Sequence, residues 1–412
     1  MSTITYKEVL KTEKQFTFMI MANVISRFGD SIDAIAYSWL IYQMTGSKSW
    51  LALVLGINMI PTVLLQPLGG GLTEFLNKKA VVVVCDLIRG GIVCTTALFM
   101  IAGILRPWHL LVLTFMNSTI EALRIPNGLA IIPHILSKEN YKTAISLNQG
   151  ASRTAELVGM GCAGVVIGTL GAGGALLVDA GTFIISGLLL SFLKIQEKQE
   201  KKQNFHFKKY LVSLKDGALY LKENRWASMV CITCILLNVT AIPIENLQAA
   251  YVSEFLKLGV TAMSAGSTAM TIGMISGSFA VPWVSKKMSD RHVLFAGGLM
   301  IGILYFVYIF ISFIPSIWGK YLGYMITAFI FGFVNSLIGV VVNILFMTRV
   351  PDSLLGRVGS LFTALACSCI PVTSFILASV GESFSIGQIY ALTGILSVIS
   401  FVMISRSTGV EK

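Results

Sequence analysis

Apolar segments of about 20 residues recur along almost the whole chain, and only short polar breaks separate them. An α-helix of that length crosses a hydrocarbon core ~30 Å thick and closes all its backbone hydrogen bonds internally. Each segment therefore predicts one membrane-spanning helix. The twelve predicted spans cover residues 16–43, 50–73, 80–105, 108–135, 143–168, 174–193, 227–250, 262–285, 293–314, 320–347, 357–381 and 385–405.

The longest polar stretch, residues 194–226, leaves six predicted spans on either side of it. We predict an all-α integral membrane protein with twelve transmembrane helices in two pseudo-symmetric six-helix bundles, residues 1–193 and 227–412. Residues 194–226 are predicted to be a cytoplasmic linker with an amphipathic helix at the membrane surface. Apolar side chains recur there at helical intervals, at Leu211, Leu214, Ala218 and Leu221.

Composition agrees with a membrane protein, since the mean hydropathy is +0.78 and only 12% of residues are charged. The net charge of +11 could indicate a nucleic-acid partner, but most of the 31 Lys and Arg residues fall on one side of the predicted membrane. Basic residues in short loops mark the cytoplasmic side, so both termini and the linker are predicted to be cytoplasmic. No nucleic-acid partner is expected, and no cleavable signal peptide is visible. The loops predicted on the opposite side of the membrane contain Lys48, Arg106, Lys257 and Lys320.

Several ionisable residues lie inside the predicted spans, where each costs at least ~2.5 kcal/mol by insertion scales. Counting from the cytoplasmic helix ends places those of the first half in two layers ~4.5 Å apart near the bilayer centre. Because the fourth and fifth spans are antiparallel, we predict that their charges pair across the two helices. Glu245 is the deep carboxylate of the second half. The first-half residues are Arg27, Asp30, Asp33, Glu121, Arg124, Arg153 and Glu156.

These intramembrane charges allow two interpretations. They could form a structural ion-pair network that joins three helices, or part of the network could face a water-filled cavity and bind substrate or protons. Asp30 and Asp33 favour the second interpretation, because the first span carries two acids and a single arginine, Arg27. A carboxylate in such a cavity can exchange protons, and a cationic substrate would compete with those protons.

Sequence signatures of an enzyme are missing. The chain contains no Gly-x-x-x-x-Gly-Lys-Ser/Thr phosphate loop, and its four histidines lack metal-ligand spacing. Cys231 and Cys234 have the spacing of a redox or zinc motif, but they lie at the apolar start of the seventh span without a second ligand pair. We expect no catalytic activity, cofactor or metal.

Several short segments of the chain, taken in the order in which they occur, resemble those of one protein family. They are residues 126–133 (PNGLAIIP), 144–149 (AISLNQ), 177–183 (LVDAGTF) and 355–361 (LGRVGSL). Because of these segments, the chain resembles the major facilitator superfamily, specifically its macrolide-efflux-like drug/proton antiporter branch. The resemblance implies a monomer in a bacterial plasma membrane that exposes a small-molecule site alternately to each side.

The resemblance also implies a gating turn between the second and third spans, which latches the cytoplasmic side during transport. Phe75 stands where the family usually has arginine, and Met160 stands where the antiporter branch has proline in the fifth span. Charges for the latch could still come from neighbouring positions. The implied gating residues are Gly70, Glu74, Lys78, Lys79, Asp86 and Arg89.

Three functional hypotheses follow. The first is a secondary exporter of amphipathic, cationic small molecules such as macrolide-like drugs, coupled to proton entry, with the lipid bilayer as its surroundings. The second is export of an anionic or zwitterionic metabolite such as a siderophore, a peptide or a lysolipid, with arginines holding its carboxylate. The third is a non-transporting membrane receptor, for which the chain offers only a short linker and short termini as partner-binding segments.

Overall fold

The computed structural model describes residues 6–72, 77–137, 140–194, 219–220, 222–350 and 352–407. These residues form helices and connecting turns, and no strand occurs among them. In chain order the helices are α1 (Tyr6–Thr12), α2 (Lys14–Thr45), α3 (Lys48–Leu72), α4 (Lys78–Ile101), α5 (Pro107–Ile135), α6 (Tyr141–Ser191), α7 (Arg225–Asn246), α8 (Gln248–Ala250), α9 (Val260–Lys287), α10 (Asp290–Ile311), α11 (Ile317–Arg349), α12 (Asp352–Val380) and α13 (Ile386–Ser407).

The helices confirm the predicted twelve-span fold. Ten predicted spans correspond to one long helix each, and the fifth and sixth fall together within α6, which has 51 residues. A helix of that length would be ~75 Å long, more than twice the hydrocarbon thickness. Gly171 interrupts α6 with φ 71° and ψ 172°, a backbone conformation that glycine adopts without steric cost. The two crossings are therefore residues 141–170 and 172–191.

Eight of the described helices are long and apolar enough to cross a membrane on composition alone, with α6 counted once. Two of the long helices outside that group, α2 and α5, carry five of the eight ionisable residues singled out above. Their charges lower the hydropathy of segments that the neighbouring spans nevertheless place within the bundle. The protein is therefore a multi-pass membrane protein.

Contacts divide the chain into two compact units. The first unit comprises residues 1–45 and 57–205, and the second comprises residues 46–56 and 206–412. In the first unit α6 packs against α2 and α4, and α4 packs against α5. In the second unit α9 packs against α11, α10 against α13 and α11, and α7 against α12 and α13. The sequence-based domain bounds stay a prediction, and the amphipathic stretch of the linker lies almost entirely outside the described residues.

Helices α9 and α11 of the second unit approach each other backbone to backbone. A Cβ atom built on Gly273 would lie 2.0 Å from the carbonyl oxygen of Phe329, and one on Gly332 would lie 2.1 Å from that of Met270. Neither distance leaves room for a methyl group. Small residues at such crossings are how membrane helices pack closely, since lipid supplies no hydrophobic force between them.

Five buried tyrosines form the centre of the second unit, with ring centroids of neighbouring pairs 5.3 to 6.2 Å apart. A five-residue π-helical segment (Tyr251–Phe255) follows α8 and brings Tyr251 into this group. The Tyr251 hydroxyl donates to the carbonyl oxygen of Tyr308 at 2.8 Å, and the Tyr305 hydroxyl donates to that of Thr240. We call this group the tyrosine cluster: Tyr251, Tyr305, Tyr308, Tyr324 and Tyr390.

A loop carboxylate fastens helix ends in the second unit. Glu382, between α12 and α13, accepts a 2.7 Å hydrogen bond from the Ser47 hydroxyl and a 3.3 Å bond from the Ser49 backbone N–H. The Ser47 hydroxyl bond is the main cause that holds the pKa of Glu382 below its usual value. Lys48 adds a 3.0 Å bond from its ammonium group to the carbonyl oxygen of Phe384. The start of α3 is thereby attached to the α12–α13 loop.

Candidate functional site

Two complementary ion pairs join α4 and α5 in the first unit. On α4, Asp86 and Arg89 lie three residues apart, and Glu121 and Arg124 have the same spacing on α5. The acid and the arginine of each helix therefore lie on the same face of that helix. The Arg124 Nε atom lies 2.5 Å from Asp86 Oδ1, and its Nη2 atom lies 3.3 Å from Asp86 Oδ2. The Arg89 Nη2 atom lies 3.5 Å from Glu121 Oε2. The order acid, then arginine, on two antiparallel helices makes both pairs possible at once.

Helix α2 joins this arrangement through Asp30, whose Oδ1 atom lies 3.1 Å from Arg89 Nη2. Asp30 and Glu121 thus contact the same guanidinium and lie at the same level, as the predicted layering requires. Arg89 also donates from Nε to Asn117 Oδ1 at 3.2 Å, and its Cζ atom lies 4.1 Å from the centre of the Phe183 ring. Its side chain is only 4% exposed. Arg89 is therefore the junction of three helices.

The second crossing of α6 supplies groups that sequence reasoning did not select as site residues. Ser186 donates from its hydroxyl to Asp86 Oδ2 at 2.8 Å, and Asp179 is completely buried. Thr182 donates to Asp179 Oδ1 at 3.2 Å. Asp179 lies inside a predicted span and met the criterion that selected Asp30, so counting every ionisable residue within spans would have found it.

We call the assembled residues of the first unit the charge cluster. Arginines contact three of its five carboxylates. Asp33 and Asp179 each keep one buried carboxylate oxygen that accepts no hydrogen bond within the described part of the chain. An arrangement with more carboxylates than arginines can attract a positive charge. The members are Asp30, Asp33, Asp86, Arg89, Glu121, Arg124 and Asp179.

The predicted pairing between the fourth and fifth spans is wrong. Arg124 turns to Asp86 instead, and Arg153 pairs with Glu156 on its own helix, Nη1 to Oε2, at 2.9 Å. The Arg153 side chain is 60% exposed, and Arg27 is also exposed. The distance of a residue from its helix end can be counted in the sequence, but the neighbour that its helix face meets depends on packing.

The implied gating residues separate into two groups. Lys78 and Lys79 begin α4, next to Asn77, whose side chain accepts a 2.9 Å hydrogen bond from the Ala80 N–H and so caps that helix. Gly70 lies near the end of α3, and Glu74 lies outside the described residues. By contrast, Asp86 and Arg89 lie about 12 and 16 Å along α4 from Lys78, within the charge cluster. The structure thus gives these two residues buried ion-pair partners.

Glu245, the carboxylate predicted for the second half, is an exposed residue of α7 in the second unit. Its neighbour Asn246 is buried and donates to the Ser374 hydroxyl at 2.7 Å. Glu245 therefore does not share a unit with the other predicted site residues.

An open apolar groove of about 510 Å³ runs between α2 and the first crossing of α6 in the first unit. This volume lies in the range of small-molecule sites. Arg27 lies in the sequence between two lining residues of α2, and Arg153 lies between two lining residues of α6. The lining residues are Val24, Ile25, Phe28, Ala151, Thr154, Ala155 and Val158.

Solved structures with this fold are membrane transporters. The nucleoside transporter NupG superimposes with a TM-score of 0.77 at 14% identity, covering 96% of this chain and 100% of that one. A bacterial homologue of the iron transporter ferroportin, in an inward-facing state, gives a TM-score of 0.72 at 16% identity, with 95% and 98% covered. At these identities the likeness concerns the fold alone.

The family follows from the sequence. The family model of the Major Facilitator Superfamily matches residues 19–374, so the chain belongs to this superfamily and the resemblance to the superfamily is confirmed. The MFS-type transporter YvqJ of Bacillus subtilis is 23% identical over 407 residues, 97% of this chain and 94% of the relative. The multidrug efflux pump Tap of Mycolicibacterium fortuitum is 23% identical over 367 residues, 86% of each chain.

Proposed function

We propose that this superfamily member is a secondary exporter of amphipathic, cationic small molecules and that proton entry drives the export. The observation that carries the proposal is the excess of carboxylates over arginines in the charge cluster, on helices that cross a membrane. Ionisable groups in such positions are costly and mark substrate or proton pathways. The relation to a multidrug efflux pump supports an amphipathic substrate.

The proposed division of labour uses the contacts of the cluster. Asp30 lies at its edge, with a side chain 23% exposed, and would receive either a proton or the amine of the substrate. Arg89 would compensate Asp30 whenever neither ligand is bound. The apolar groove would hold the hydrophobic body of the substrate. We retain the prediction that the protein works in a bacterial plasma membrane with cytoplasmic termini.

Accumulation of a labelled macrolide in cells tests the export of a cationic drug. Cells that express the chain should accumulate less label than empty-vector cells, and a protonophore should abolish the difference. Asp30→Asn should raise accumulation towards the empty-vector level without lowering the amount of protein in the membrane, whereas Lys222→Gln, at an exposed position, should behave as wild type. Accumulation equal to that of empty-vector cells would reject macrolides as substrates.

A second candidate function is export of an anionic amphiphile such as a lysolipid. Its specific support is the pair of exposed arginines, Arg27 and Arg153, that alternate in sequence with the residues of the apolar groove. A guanidinium next to an apolar surface suits a carboxylate or phosphate joined to a hydrocarbon chain. Under this alternative Arg27→Gln lowers export of an anionic amphiphile and leaves cationic drugs unaffected. The leading proposal instead expects the protein to export cationic drugs rather than anionic amphiphiles.

A further inference from the structure

Two carboxylates of the charge cluster, those of Asp33 and Asp179, form no ion pair with its arginines. Asp179 is completely buried, and its Oδ2 atom accepts no hydrogen bond from the described residues. The Oδ1 atom of Asp33 is likewise buried without a donor. A buried polar atom in a folded protein is nearly always hydrogen-bonded, so two such oxygens in one cluster indicate a bound group.

The two carboxylates belong to neighbouring helix surfaces. A Cβ atom on Gly29 would lie 2.4 Å from Asp179 Oδ1 and 1.9 Å from the Thr182 hydroxyl oxygen, so the Asp179 side chain lies directly against α2 at this glycine. Asp33 follows Gly29 by four residues and occupies the next turn of the same helix face. The charges of Asp33 and Asp179 interact electrostatically. Gly29 thus leaves the space in which the Asp179 carboxylate lies against α2, one helical turn before Asp33.

The charge balance of the cluster leads to the same conclusion. Arg124 compensates Asp86, while Arg89 is shared between Asp30 and Glu121. Arg27 is exposed but close enough to interact electrostatically with Asp30. Five carboxylates thus face three arginines, and Asp33 and Asp179 form no ion pair with any of them. An isolated carboxylate in an apolar interior is so costly that it binds a proton or another cation.

We propose that Asp33 and Asp179 form a single site that holds one exchangeable proton between a carboxylate oxygen of each residue. Binding transfers H⁺ from water to a carboxylate, which becomes a carboxylic acid that donates to the other carboxylate. A proton needs only these two oxygens.

Access to this site is asymmetric. Asp33 is half-buried, whereas Asp179 has no exposed surface, so protons exchange with water through Asp33. The groups whose charge or hydrogen bonds act on the pair come from all four packed helices. They are Asp30 and Tyr37 on α2, Arg89 on α4, Glu121 on α5, and Thr182 on α6.

This inference deepens the proposed function, and its transport role rests on that function, but proton binding can be measured separately. Infrared difference spectra of purified protein between neutral and alkaline pH should contain the C=O stretching band of a protonated carboxylic acid. Asp33→Asn and Asp179→Asn should each remove this band, because both oxygens hold the same proton. Glu223→Gln, at an exposed position, should retain it.

Three spectroscopic outcomes would overturn the site: a band that survives both Asn variants, a band that also disappears in Glu223→Gln, or a band that NaCl removes and choline chloride does not. The last outcome would identify the occupant as Na⁺. Should Asp179→Asn fail to fold, Asp33→Asn decides alone, since that position is half-buried and tolerates an amide.

Proteoliposomes then separate this inference from the proposed function. Transport of ethidium is measured with and without a pH gradient, and Asp179→Asn should lose the transport that the gradient drives. If wild type transports no probe under either condition, the proposed export of cations fails, while the infrared band still decides the proton site. Wild-type transport together with undiminished gradient-driven transport by Asp179→Asn would overturn the inference.

Discussion

The buried polar side chains of the first unit include ionisable groups within its helices, whereas those within the helices of the second unit are tyrosines, hydroxyls and amides. Asp86, Arg89 and Asp179 are buried in the first unit. Among the described residues of the second unit, Lys48 at a helix start is the buried charged side chain. Charges inside a bilayer are expensive and are retained where they act, while neutral hydrogen bonds and close packing serve to hold helices.

The difference indicates a division of roles between the two sets of helices. We expect the first unit to be sensitive to changes of charge and the second to changes of volume. Matched substitutions within each unit test this expectation.

The largest effect is expected from Arg89→Met, which leaves Asp30 and Glu121 without their shared guanidinium. Removing one partner from a buried pair typically costs about 3–5 kcal/mol. Thermal unfolding in detergent, followed by size-exclusion chromatography, measures the loss. The deficit should shrink as the pH is lowered, because protonation removes the unpaired charges. Arg153→Met is the control, since an exposed pair contributes only about 0–1 kcal/mol. Equal losses in both variants would contradict a special role for Arg89.

The next largest effect concerns volume in the second unit. Gly332→Ala places a methyl group against the backbone of α9 and should cost about 1–3 kcal/mol, as overpacking does. Gly339, on the same helix α11, has open space at its Cβ position. Gly339→Ala should therefore leave thermal stability unchanged or raise it by up to about 1 kcal/mol, because alanine favours helix more than glycine does. Similar melting temperatures for both variants would disprove the close crossing.

The smallest effect distinguishes two members of the tyrosine cluster. Tyr305→Phe removes a hydroxyl that donates to the Thr240 carbonyl oxygen and should cost about 0.5–1.5 kcal/mol. The Tyr308 hydroxyl is buried and has no hydrogen-bond partner among the described residues, so Tyr308→Phe should be neutral or stabilising. Unfolding measured side by side tests the pair. A larger loss for Tyr308→Phe would show that this hydroxyl has a partner.

The sequence predicted the spans well because length and hydropathy determine where a helix can cross a membrane. It also placed Asp30 and Glu121 at one level, since rise per residue converts sequence position into depth. Helix rotation has no comparable signal, so Arg124 was assigned to the wrong neighbour. Asp86 and Arg89 were assigned to the turn by resemblance, although their positions lie well inside the third span. Asp179 was overlooked because its motif served only to identify the family.

The assignment of residues 46–56 to the second unit has a consequence for the continuity of the chain. Ser47 and Lys48 are held by Glu382 and Phe384, more than 330 positions later in the sequence. The polypeptide therefore passes between the units three times, and the linker is only the last of these passages. In a protein cut within the linker, the first fragment would still carry residues 46–56, which belong to the second unit. Separately expressed fragments should therefore purify together, because the first supplies a segment that packs within the second unit.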